Sequence, residues 1–187
     1  LVIAVWVWRS PEIAPSTATR YSAKERFAAA AESWPAVMLF VLIIGGIYGE
    51  DRMAFLDEAL EGAGQHPVTV FIHHPPIDCG IAHFDHIGMH DDGRIMRRLA
   101  GHKAGIRHIV FGHIHVPMSG TSAEGIAYSS GQACAHRFVT DLANPMPFWT
   151  GGNPCYRIIN LDAHGLRAYA VEVGETITGQ APICEGP

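Results

Sequence analysis

Two short apolar runs that each stop in histidines constrain this chain more than anything else in it: VTVFIHHPP, beginning at Val68, and IRHIVFGHIH, beginning at Ile106. Val68, Val70, Phe71 and Ile72 lead into His73 and His74, while Ile106, Ile109, Val110 and Phe111 lead through Gly112 into His113 and His115. β-Branched and aromatic residues bounded by Pro and Gly read as strands. Between the runs, Ile95, Met96, Leu99 and Ala100 share one helical face. Asp91 and Asp92 stand where caps belong, and Lys103 and Gly105 end the pattern. Strand, helix, strand is a crossover unit, which places the two strands parallel in one sheet. Both histidine groups then meet at the carboxyl edge, where open α/β sheets build their sites.

His113 and His115 are two apart, and on an extended segment such residues project to the same side. Gly112 permits a close backbone approach, and Pro75 and Pro76 stiffen the facing loop while removing two donors. Neutral imidazole is a ligand for Zn, Fe, Ni and Cu, so histidines gathered from two strand ends begin a coordination sphere. Taken singly, each has the commoner reading of a hydrogen-bonded structural residue. Their concentration at two neighbouring strand ends is what favours a ligand set.

HHPP followed by GHIH resembles the last two signature blocks of the calcineurin-like metallophosphoesterases. The intervening GIAHFD, Gly80 to Asp85, resembles the branch that contains cyclic-nucleotide and glycerophosphodiester phosphodiesterases, and the similarity runs over residues 49–174. The resemblance implies an α/β fold, a four-layer αββα sandwich of two mixed sheets with helices outside. It also implies a binuclear centre of divalent transition metals (Mn, Fe or Zn). By position, His73 and His113 would hold one metal and His115 the other. His74 is expected behind these ligands, and His136 in ACAHRF resembles a substrate-pocket histidine of the same branch. Asp78 and Asp85 are carboxylates that could turn inward, although solvated loop positions are their simpler reading. The implied activity is hydrolysis of a cyclic nucleotide such as 3',5'-cyclic AMP, or of a glycerophosphodiester, by in-line attack of a metal-bound hydroxide.

The same pattern includes Asp-x-His, Gly-Asp and Gly-Asn-His motifs ahead of the HHPP block, which bring the bridging carboxylate and the histidine that protonates the leaving group. No aspartate precedes Asp51, His66 is the only histidine before His73, and every asparagine follows His115. Residues 1–187 therefore read as a single, N-terminally incomplete domain, and no catalytic residue is assigned. The alternative to an active hydrolase is a catalytically impaired remnant that binds at most one metal.

Composition bounds the partners. A chain that is 48% hydrophobic and 17% charged fits one globular domain, and a net charge of -5 supplies no basic stripe for a nucleic acid polymer. A small phosphoester is the expected substrate. The four cysteines form no CxxC pair, which argues against structural zinc and for a reducing cytoplasm. The apolar runs at 1–8 and 36–44 fall short of the roughly 20 residues of a spanning helix. They read as buried strands rather than membrane segments. Strand edges left open around 37–44 favour self-association.

The remaining segments read more simply. Residues 9–19 read as a loop, and Ser22 with Glu25 has capping-box spacing for a short helix ending at Trp34. A helix opens at Asp51 with Met53, Phe55, Leu56 and Leu60 as its apolar stripe. Strands are expected at 116–122, 125–130, 156–162 and 166–173, as an antiparallel meander finishing a second sheet. Residues 138–153 read as an ordered loop. His83, His86, His90 and His102 are expected to be solvated, and His108 to lie on the less buried face of its strand.

Overall fold

The computed structural model describes residues 49–174, apart from positions 92, 135, 145 and 163, together with the backbone of 37–41. The expected strand at 1–8, the loop and helix at 9–34, and residues 42–44 of the second apolar run lie outside these. In chain order the elements are β1 (Val37–Val41), α1 (Glu50–Ala63), β2 (Val68–Ile72), α2 (Ala82–His86), α3 (Arg94–Ala100), β3 (Ile106–Phe111), β4 (Met118–Thr121), β5 (Ala127–Ser130), β6 (Arg137–Phe138), β7 (Trp149–Thr150), β8 (Cys155–Asp162) and β9 (Gly165–Glu172).

The strand, helix, strand crossover is present. β1, β2, β3 and β5 run parallel in a sheet of order β1-β2-β3-β5-β4, closed at one edge by antiparallel β4. The helices form where the apolar stripes demand. Met53, Leu56, Ala59, Leu60 and Ala63 are the buried face of α1, Glu50 and Asp51 lie in its first turn against the helix dipole, and Gly64 leaves it with φ 56°. Phe55 is exposed, because a position two residues from Met53 lies about 200° around a helix from it. Gly93 is the N-cap residue of α3, and Asp91, two residues ahead of it, supplies the acceptors: its Oδ2 accepts from the Ile95 N–H at 2.7 Å and its Oδ1 from that of Gly93 at 3.1 Å.

Pleat sorts the strand residues between two faces. Val68, Val70, Ile72, Ile109 and Phe111 pack with Leu56, Ile95 and Leu99 on the helix side. Phe71 and Val110 point the other way and pack against Ile159 and Leu166 of the β8–β9 hairpin. The described residues thus form helices on one face of a mixed sheet and a two-stranded sheet on the other, an α/β architecture. Burying side chains such as Leu99 and Ile109 contributes about 1.5–3 kcal/mol each.

One expectation is corrected. The strands after His115 do not form a meander in a second sheet, since β5 pairs parallel with β3, Ile109 opposite Tyr128, and β4 extends the same sheet. Ile109, Val110 and Phe111 are buried, so the outer backbone edge of β3 requires a ladder partner, and β5 supplies it. β8 and β9 form a two-stranded sheet of their own, and so do β6 and β7. The segment read as an ordered loop carries a minimal ladder, Phe138 opposite Trp149. Among the described residues, no helix is long and apolar enough to cross a membrane.

Candidate metal centre

The loops leaving β2 and β3 are tied together where the strands end. The Gly112 N–H donates to the His73 carbonyl at 3.1 Å, and that of Ile114 to the Gly112 carbonyl at 2.8 Å. In this turn His113 and His115 have φ of 68° and 53°. The extended backbone read from the sequence is therefore absent. Ile114 and Val116 are buried while His113 and His115 stay partly open, so alternation survives through two left-handed residues. Histidine tolerates that region better than most side chains, and non-glycine residues held there concentrate at functional sites.

His73, His74 and His113 each place a ring nitrogen within 4.8 Å of the other two. His113 Nδ1 lies 3.3 Å from His73 Nε2, and His74 packs against the His113 ring at a centroid distance of 4.1 Å. Backbone carbonyls set the tautomers, because a carbonyl oxygen only accepts. His113 Nε2–H donates to the Ile87 carbonyl at 3.1 Å, which leaves Nδ1, the atom facing His73, as the lone pair. His115 Nδ1–H donates to the His136 carbonyl at 3.1 Å, leaving Nε2 unprotonated in the neutral ring.

Charge follows the same direction throughout. Burial, and next the neighbouring His115, lowers the pKa of His73; burial, and next His73, lowers that of His113. His115 is lowered by burial and then by His136. His74 is pushed down to about 4, by burial first and by His113 and His73 after it. All four rings are held in the neutral form that binds metals.

Of the residues expected from the sequence, His73 and His113 are brought together. His74, expected behind the ligands, stands in the close group, and its Nδ1 is buried without a hydrogen-bond partner. His115 lies outside that group, beside His136 at a ring distance of 4.7 Å and Phe138 at 5.8 Å. The Asp85 carboxylate accepts from the Cys79 N–H at 2.6 Å, bracing its own loop, and Asp78 is exposed. Both line a separate cavity of about 640 Å³ that includes none of these histidines. The Ile87 carbonyl has no sequence signature. The doubled histidine of HHPP was the available signal for His74.

These residues fit a divalent transition metal. Nitrogens bound to one tetrahedral ion at about 2.1 Å are separated by about 3.4 Å, close to the 3.3 Å between His113 and His73. The buried, unpartnered His74 nitrogen adds a donor, and the Ile87 carbonyl is the kind of outer partner that fixes a ligand ring.

No family model matches the chain. Comparison with curated proteins instead brings out a class, described in each case as "Probable cyclic nucleotide phosphodiesterase". The chain is 33% identical over 98 residues to such a protein of Rhodopseudomonas palustris, covering 52% of this chain and 35% of the relative. It is 36% identical over 124 residues to one of Synechococcus sp. strain WH7803, covering 64% and 46%. A third, from Synechococcus sp. strain ATCC 27144, is 32% identical over 72 residues, covering 38% and 28%. The chain spans less than half the length of the curated relatives it matches.

Proposed function

We propose that this chain carries the histidine side of a metal-dependent phosphodiesterase that hydrolyses a cyclic nucleotide such as 3',5'-cyclic AMP, or a glycerophosphodiester. The observation that carries this reading is the convergence of neutral His73, His74 and His113 at the carboxyl edge of parallel strands. The descriptions of its relatives support the cyclic nucleotide. The helix, sheet and hairpin layers are compatible with part of an αββα sandwich.

His73, His74 and His113 would hold one metal, and His115, with its free Nε2, a second. A bound Mn, Fe or Zn supplies Lewis acidity towards phosphoryl oxygens and acidifies water. The chain's part is positioning and charge. An all-imidazole group adds no negative charge, so the full cationic charge stays available to an anionic ester. The Ile87 and His136 carbonyls hold His113 and His115 in the tautomers that leave His113 Nδ1 and His115 Nε2 unprotonated.

A second reading, an impaired remnant binding at most one metal, is favoured by one observation: the close group contains no carboxylate to separate two cations. Equilibrium dialysis with Zn and Mn, beside hydrolysis of bis(p-nitrophenyl) phosphate and 3',5'-cyclic AMP, decides. Metal-dependent turnover that falls about a hundredfold or more in His113→Ala supports the enzyme. Metal binding with background turnover supports the remnant, and binding no tighter than in His113→Ala rejects both.

A further inference from the structure

On the face of the sheet turned away from the helices, a cavity of about 410 Å³ lies against the β8–β9 hairpin. Its polar lining is His108, Ser119, Ser129, Ser130, Gln132 and Arg157, with no Asp or Glu. Ser129 Oγ accepts from Arg157 Nη2 at 2.8 Å and lies 2.8 Å from His108 Nε2. Arg157 is held in place by packing as well. A Cβ added at Gly131 would sit 2.4 Å from Arg157 Cδ, so the arginine stem lies across a bare backbone.

Among the described residues this guanidinium has no carboxylate partner. Each ion pair of the described residues, Arg94 with Glu50, Arg98 with Asp57, Arg137 with Glu172 and Arg167 with Asp162, excludes it. Arg157 Nη1 is sealed from solvent without a hydrogen-bond partner, and the Thr69 hydroxyl, on the β2 residue that pairs with His108, is also buried and unsatisfied. Half-burying a cation without a counter-charge is costly, and arginine cannot escape by losing its proton. The arrangement is what an oxyanion needs: a guanidinium fork with hydroxyl, amide and imidazole groups around it.

We propose that this cleft is a binding site for a small tetrahedral oxyanion of the phosphate class, held by Arg157 together with Ser129 and His108. A tetrahedral anion offers more acceptor oxygens than a carboxylate and so uses donors arriving from several strands. The cleft shares no lining residue with the His73, His74 and His113 group, so the site stands whether or not that group binds metal.

The test is thermal unfolding of the metal-free chain in EDTA, with millimolar inorganic phosphate set against chloride at matched ionic strength. At about tenfold over its dissociation constant, phosphate should raise the midpoint by roughly 3 °C. His113→Ala should keep this shift and Arg157→Met should lose it. Arg157→Lys, which retains charge and bulk but not the fork, should weaken phosphate about tenfold. A phosphate titration should also move the ring signals of His108 in an NMR spectrum. An equal phosphate response in wild type and Arg157→Met, or in wild type and Arg157→Lys if the first variant does not fold, overturns the proposal. So does a His108 signal that stays still.

Discussion

At the carboxyl end of β3 the chain gathers titratable rings, whereas midway along the same strand, beside His108, it half-buries a guanidinium. Imidazoles solve the problem of burial by shedding protons, and the depressed pKa values of His73, His74 and His113 are that solution. Arg157 has no such recourse. The two clusters therefore want ligands of opposite sign: lone pairs wait for a cation at the strand end, and donors wait for an anion beneath the hairpin.

The largest effect that would sharpen this contrast separates His74 from His115. If the close group is the ligand set, His74→Ala should weaken Zn binding by more than about a hundredfold. His115→Ala should cost the metal of the close group about tenfold, as for a residue that does not ligate that ion. Isothermal titration of both variants measures the ratio. A reversed order would restore the set of His73, His113 and His115 and leave His74 as a packing residue.

Much of this is legible in the sequence. Apolar runs broken by Pro and Gly locate β2 and β3, the spacing of Ile95, Met96 and Leu99 locates α3, and their order dictates a parallel pair with histidines at one edge. The position of His74 was not legible, because adjacent residues usually diverge and only the loop geometry beyond β2 brings its ring against His113. The left-handed backbone at His113 and His115 leaves no trace in residue type beyond Gly112. The pairing of β5 with β3 depends on which edge must be covered, a tertiary demand. Arg157 and His108 are far apart in sequence and meet through Ser129 only once the hairpin is laid across the sheet.

A smaller effect, read through pH, tests the same contrast. His74 has a folded pKa of about 4 against an ordinary value of 6.5, so the unfolded chain takes up this proton first as pH falls. Stability from the buried neutral ring is complete above about pH 6.5, declines towards pH 4, and has no further dependence on this group below that. Metal affinity should fall at lower pH, as it passes through the folded value of about 4, since protons compete for the lone pairs of the folded rings. Arg157 does not titrate there. Sulfate, which stays anionic, should still stabilise the chain at about pH 4, where protons compete with Zn for the His74 ring. Loss of both responses together, followed by thermal unfolding at each pH, would mean the two clusters are parts of one unit.

The smallest predicted change asks whether the clusters are independent of the scaffold's general stability. Asp91 is buried and uses both carboxylate oxygens to cap α3, on the Gly93 and Ile95 amides. Asp91→Ala leaves those amides without their acceptor and should cost about 1 kcal/mol, or roughly 3 °C in the unfolding midpoint. Asp91→Asn keeps one side-chain oxygen and should recover much of this. Ile95, Met96 and Leu99 pack into the helix-side core, whereas the Arg157 cleft lies on the opposite face, and the histidines are fixed by the bond from Gly112 to His73 and by the Ile87 carbonyl. Zn affinity and the phosphate shift should therefore both stay within about twofold of wild type in Asp91→Ala. A tenfold loss in either would show that α3 sets the geometry of that cluster, and the contrast between two locally built sites would have to be abandoned for it.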